Sequence, residues 1–182
     1  GDGKEGKNDE GEGEPYPELL AMASSQLLDQ HLNAFQALAR IVSHSPSTTT
    51  LKRLASSELL HKIGRRLDSI KIASFRPGES AMLNLGCMMA GKMSEEPACW
   101  EGLADSGVLL SLMRLVGSEA TVTFRDREAR REAARSVANV LREGVGLKCV
   151  DSIDVKAWSK EVAAGGDAIV QQYAQEVADL LD

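Results

Sequence analysis

The rhythm of apolar residues changes at Tyr16. Before it, positions 1–14 hold only Gly, Asp, Glu, Lys and Asn, so nothing there repays the entropy of ordering. From Tyr16 onward Leu, Ala, Met and Val recur three and four positions apart, the spacing that gathers one face of a helix. No sustained period-two alternation favours a strand, so the predicted fold class is all-α. The pattern predicts helices over 17–43, 49–69, 79–93, 95–105, 108–116, 126–143, 154–164 and 167–181. Pro46, Pro77 and Pro97 fall at gaps or first turns, where a missing N–H costs least, and Gly107, Gly117 and Gly144 fall where helix ends favour a residue tolerant of positive φ. Asp167, after Gly165 and Gly166, is placed to cap the last helix. The organisation read from this is a flexible acidic tail over 1–15 and one helical domain over 16–182, with the apolar material for a sizeable core.

Three helical segments align on their apolar faces: Leu38-Ala39-Arg40-Ile41, Met82-Leu83-Asn84-Leu85 and Val137-Ala138-Asn139-Val140. Arg40, Asn84 and Asn139 then correspond, at spacings near the roughly 40 to 47 residues of helical solenoids if 119–125 is an inserted loop. The clearest unit runs from Gly102 through the Leu-rich stretch to Gly117, then from Arg130 to Leu141, where Ala133, Ala134 and Ala138 make a small-residue face. This unit resembles the armadillo repeat, well over 95–143 and loosely over 16–94. The resemblance implies a short right-handed superhelical stack, whose Leu-rich helix is covered only when a neighbouring unit packs on it. The alternative is a single irregular helical bundle. A short stack reads as a small adaptor or as a fragment of a longer solenoid, and Gly1 in place of an initiator Met suits the second.

In armadillo proteins the third helices line a concave groove, and an Asn near the end of each bonds the backbone of an extended peptide. The resemblance assigns that role to Asn84 and Asn139, with Arg40 at the matching position. Steps of about one turn add Gln36 and His44, Ser80 and Met88, and Arg131, Arg135 and Arg142. The expected partner-binding set is therefore Gln36, Arg40, Ser80, Asn84, Arg131, Arg135, Asn139 and Arg142. Members of the family that bind nuclear-localisation signals carry Trp four positions before the Asn; here those positions are Ser80 and Arg135, which argues against a basic signal peptide. Arginine forks suit carboxylates and phosphates, so the expected ligand is an acidic or phosphorylated protein segment. The alternative for this face is a solvated surface on which Glu128 and Glu132 pair with nearby arginines.

Charge and composition narrow the remaining classes. A net charge of -6 and 4% aromatic residues oppose general nucleic-acid binding. The cluster Arg125, Arg127, Arg130, Arg131 and Arg135 still makes an RNA-binding helical repeat the runner-up. Cys87, Cys99 and Cys149 form no CxxC pair, and His31, His44 and His61 lack metal-ligand spacing, so no metal or cofactor is expected. Gly86-Cys87-Met88-Met89-Ala90-Gly91-Lys92-Met93 approaches the phosphate-loop pattern, but Met93 replaces the magnesium-binding hydroxyl and no strand precedes it. Gly78-Glu79-Ser80-Ala81-Met82 lacks the second Gly of a nucleophile elbow. No apolar run is long enough to span a bilayer. The expectation is a noncatalytic scaffold or adaptor in a larger complex, cytoplasmic with nuclear as the alternative, without membrane contact.

Overall fold

The computed structural model describes residues 14–44, 47–70, 78–117, 124–150 and 154–182, with side chains at 124–126, 148 and 149 set aside. The acidic tail as far as residue 13, and positions 119–123 of the expected insert, lie outside the described residues. Among the described residues the chain is helical throughout, with no strand. The α-helices are α1 (Pro17–Met22), α2 (Leu28–Ser43), α3 (Thr48–Ala55), α4 (Leu59–Ser69) and α5 (Glu79–Ser94). They continue as α6 (Trp100–Asp105), α7 (Val108–Val116), α8 (Phe124–Arg142), α9 (Val155–Ala163) and α10 (Ala168–Leu180).

Two predicted helices are each divided by a serine whose hydroxyl bonds its own backbone neighbourhood, competing with helix continuation. Ser25 Oγ accepts the Leu27 N–H at 3.2 Å and donates to Gln30 Oε1 at 2.8 Å, separating α1 from α2. Ser57 Oγ accepts from Leu59 at 3.2 Å and donates to the Leu54 carbonyl at 2.6 Å, separating α3 from α4. The segment predicted as one helix over 95–105 opens as a 3-10 turn, Pro97–Cys99, before α6. Helix α8 starts two residues earlier than expected, so Phe124 and Arg125 belong to the helix and not to a loop. Gly107 and Gly144 do take positive φ, at 79° and 77°, as does Gly78 at 83°. Gly117 instead keeps right-handed geometry, with φ of -75°.

The packing sets α5 against α2 and α8, and α8 against α10. Behind this row α4 packs on α7, α7 on α8 and α9 on α10. Helix α5 is therefore apolar nearly all round: Met82, Leu83, Cys87, Met89, Ala90 and Met93 are all buried. The near-phosphate-loop sequence is part of this helix, a core segment with its glycines set against neighbours. A Cβ on Gly86 would lie 3.2 Å from Ile63 Cγ2. Gly102 lets α6 approach the end of α3 so closely that an added Cβ would fall 2.4 Å from the Ala55 carbonyl oxygen.

Each tryptophan fills a junction between helices and ties it with its indole N–H. Trp100 Nε1 donates to the Ser94 carbonyl at 2.8 Å, at the end of α5, and Trp158 Nε1 donates to the Met113 carbonyl at 3.0 Å, near the end of α7. These bonds satisfy carbonyls that lack an intrahelical partner or sit close to a helix end. The exposed large apolar side chains gather toward the two ends of the helix series: Tyr16, Met22, Leu27 and Leu28 at one, Leu147, Ile169 and Leu180 at the other.

Candidate protein-binding groove

Helices α2, α5 and α8, the three that the sequence alignment matched, border one groove of about 630 Å³. Helix α5 supplies Ala81, Asn84, Leu85 and Met88, a stripe at the i, i+3, i+4, i+7 spacing that forms one helix face. Gln36 comes from α2, and Glu128, Ala129, Arg131 and Glu132 come from α8. Leu85 and Met88 rest partly buried against the core, so their outer faces make an apolar floor.

Amides border that floor. Asn84 Nδ2 donates to the Ser80 carbonyl one turn back at 2.8 Å, which leaves the Asn84 carbonyl oxygen open. Gln36 is exposed and its amide makes no hydrogen bond among the described residues. Both can serve the N–H and C=O groups of a bound backbone.

The arginines on the α8 side are already engaged. Arg131 Nη2 lies 3.1 Å from Asp167 Oδ2, and its Nε donates to both carboxylate oxygens at 3.3 and 3.2 Å. Arg127, half exposed, approaches the same carboxylate at 4.0 Å. Arg135 is bonded to Glu95 and Glu132, and Arg142 Nη2 pairs with Glu176 at 2.9 Å. Burial works to raise the Asp167 pKa, but the bonds from Arg131 and from the backbone N–H groups of Val170 and Ile169 outweigh it and hold the carboxyl below its ordinary value. Asp167 is thus both the cap of α10, as expected, and the anchor joining α10 to α8.

Of the residues expected to bind a partner, the structure brings Gln36, Asn84 and Arg131 to one groove. Arg40 is exposed on α2 outside the lining, with its carbonyl accepting His44 Nδ1 at 2.7 Å. Asn139 turns toward α5, where Nδ2 donates to the buried Ser94 hydroxyl at 3.0 Å. Ser80, Arg135 and Arg142 also lie outside the lining. Ala81, Leu85, Met88, Glu128, Ala129 and Glu132 belong to the groove and were absent from the expected set. A four-residue step follows one line along a helix, and the full stripe would have added Ala81 and Leu85.

Among the described residues, other polar groups line two further clefts. A cleft of about 910 Å³ between α3 and α6 combines Glu14, Arg53, His61, Glu101 and Asp105. A smaller one holds Ser25, His31, Arg66 and Glu79. Among the described residues no group of three His, Cys, Asp or Glu side chains is placed to hold a metal. Burial pushes the Cys99 thiol up to about 11 and Cys87 higher still, so both are protonated at neutral pH. No described helix is long and apolar enough to cross a membrane. No protein-family model, curated protein or solved structure matches the chain.

Proposed function

We propose that this protein is a noncatalytic, armadillo-like helical-repeat scaffold that holds a segment of a protein partner in the groove between α2, α5 and α8. One observation carries the reading: three helices aligned from sequence alone lie side by side and turn Gln36, Asn84 and Arg131 toward one apolar-floored groove. The order of a short helix, a middle helix and a long helix in α3–α4–α5 and again in α6–α7–α8 supports the repeat. Lone thiols held protonated, and ionisable groups tied into structural pairs, support a binding role over a chemical one.

The test is photo-crosslinking from position 88 in cells, with position 52 on the exposed side of α3 as control. A protein crosslinked from 88 and absent from 52 supports the reading; equal yields from both positions sink it. RNA crosslinked in place of protein selects the runner-up. That runner-up draws on the α8 arginines, of which Arg131 and Arg135 are occupied by carboxylates and Arg130 Nη2 donates to the Val116 carbonyl at 2.7 Å.

A further inference from the structure

The geometry points to an uncharged, aliphatic protein segment as the occupant of the groove, bound through its backbone and one or two apolar side chains and not through a phosphate or carboxylate. This inference rests on the proposed binding role and specifies its ligand.

The acidic ligand expected from sequence depends on arginines free to receive it. Arg131 is the arginine in the lining, and its Nε and one terminal nitrogen face Asp167. A ligand anion would meet a guanidinium whose charge is already balanced by a carboxylate that is fixed independently, because Asp167 Oδ1 also accepts the Ile169 and Val170 N–H groups at 3.0 and 3.2 Å. Arg135 is held on both sides by Glu95 and Glu132. Glu128 makes no ion pair among the described residues, so the unmatched charge in the lining is negative and offers a phosphate no partner. Glu128 is also exposed to water, where its attraction for a basic ligand is screened.

What remains is an apolar floor with two amides on its border. Leu85 and Met88 offer aliphatic surface, and the flexible thioether adapts to the shape laid on it. The open Asn84 carbonyl oxygen and the Gln36 amide match the unpaired backbone groups of an extended chain, which every sequence possesses. Selection then falls to side-chain size and to the absence of charge.

An array of short synthetic peptides, with aliphatic, acidic, phosphoserine and basic members, probed with the full chain tests this. Aliphatic uncharged peptides should be retained, with binding unchanged as salt rises toward about 1 M, where the Debye length falls to about 3 Å. Ala81→Arg, which places a long cation in the groove without touching the buried face, should lower retention about tenfold or more. Its thermal melt, matched to the parent, separates blocked binding from misfolding; Gln36→Arg, at an exposed position of the lining, serves if the first variant fails to fold. Preference for phosphoserine or acidic peptides, lost at high salt and in the same variants, overturns the ligand inference while leaving the groove reading intact. Retention of no peptide, or retention indifferent to both variants, overturns the two together.

Discussion

Asp167 grips the Arg131 guanidinium through both carboxylate oxygens, although one residue caps α10 and the other lies within α8. The same carboxylate caps α10, so one side chain performs two separable tasks. Asp167→Asn keeps a capping oxygen and loses the charge, and should cost about 1 kcal/mol; Asp167→Ala loses both and should cost roughly 1 kcal/mol more. Because the folded pKa is depressed, the stabilisation is complete above the unfolded value of about 3.9 and disappears as pH falls through the lower folded value. Denaturant titrations down the acid range should show that limb flattened in both variants. An unchanged acid limb in the Asn variant would remove the ion pair from the account.

His31 introduces a second acid dependence at higher pH. Burial, and to a smaller extent the charge of Arg66, lowers its pKa against the opposing pull of the Ser25 carbonyl. Its Nδ1 lies 3.2 Å from that carbonyl, the ring stacks on Phe35 at 4.9 Å, and Nε2 is buried without a partner. The neutral ring stabilises the fold fully above about pH 6.5, and protonation removes that contribution as pH falls through the depressed folded value. His31→Phe should abolish the stability slope in this window. Melting temperatures measured across it decide the matter, since a slope that survives the substitution must come from another group.

Two glycines meet different obstacles, and the difference predicts the order of damage. At Gly102 a methyl would collide with the Ala55 backbone, at 2.4 Å from its oxygen and 2.8 Å from its carbon, and neither atom can swing away. Gly102→Ala should destabilise by about 1–3 kcal/mol. At Gly91 the obstacle is the end of the Glu132 side chain, 2.1 Å away, which can rotate at the expense of its bond to Arg135. Helix propensity favours Gly91→Ala by up to about 1 kcal/mol, so the net change should be small. Equal losses in the two variants, read from denaturation midpoints, would contradict the packing.

The indole bonds are measurable one at a time. Trp100→Phe leaves the Ser94 carbonyl without its 2.8 Å donor and should cost about 1–3 kcal/mol, whereas the Met113 carbonyl keeps the Gly117 N–H at 3.0 Å after Trp158→Phe, which should cost about 1 kcal/mol. The remaining tryptophan in each variant reports unfolding by fluorescence.

Much of the helical plan was legible because it is local. The three-and-four spacing found α5 despite its misleading glycines and lysine, and α7 was placed at its observed limits, Val108 to Val116. The breaks at Ser25 and Ser57 were missed because a serine continues a helix or interrupts it according to bonds that no apolar pattern records. The groove was half legible. Alignment reached the helices and Asn84, and steps along them reached Gln36 and Arg131; Glu132 faces Arg135 on α8 itself, as the alternative for this face expected, but the other acids facing the arginines arrive from elsewhere: Glu95 follows α5, Asp167 precedes α10 and Glu176 lies within it. Pairings across that separation depend on the three-dimensional arrangement, which is why a run of arginines read as an open basic surface.

The position of α5 between α2 and α8 also gives the molecule a gradient of resistance to opening. Loss of α1 or α9 strips a flank from one neighbour, whereas wetting the interior of α5 requires that a wall be removed from one side or the other. Backbone amides near Leu83 and Met89 should therefore be among the last to exchange with deuterium, and those of the flanking helices among the first. The groove's floor and the most protected segment are then the same helix, so a ligand would meet a surface already set in place before it arrives.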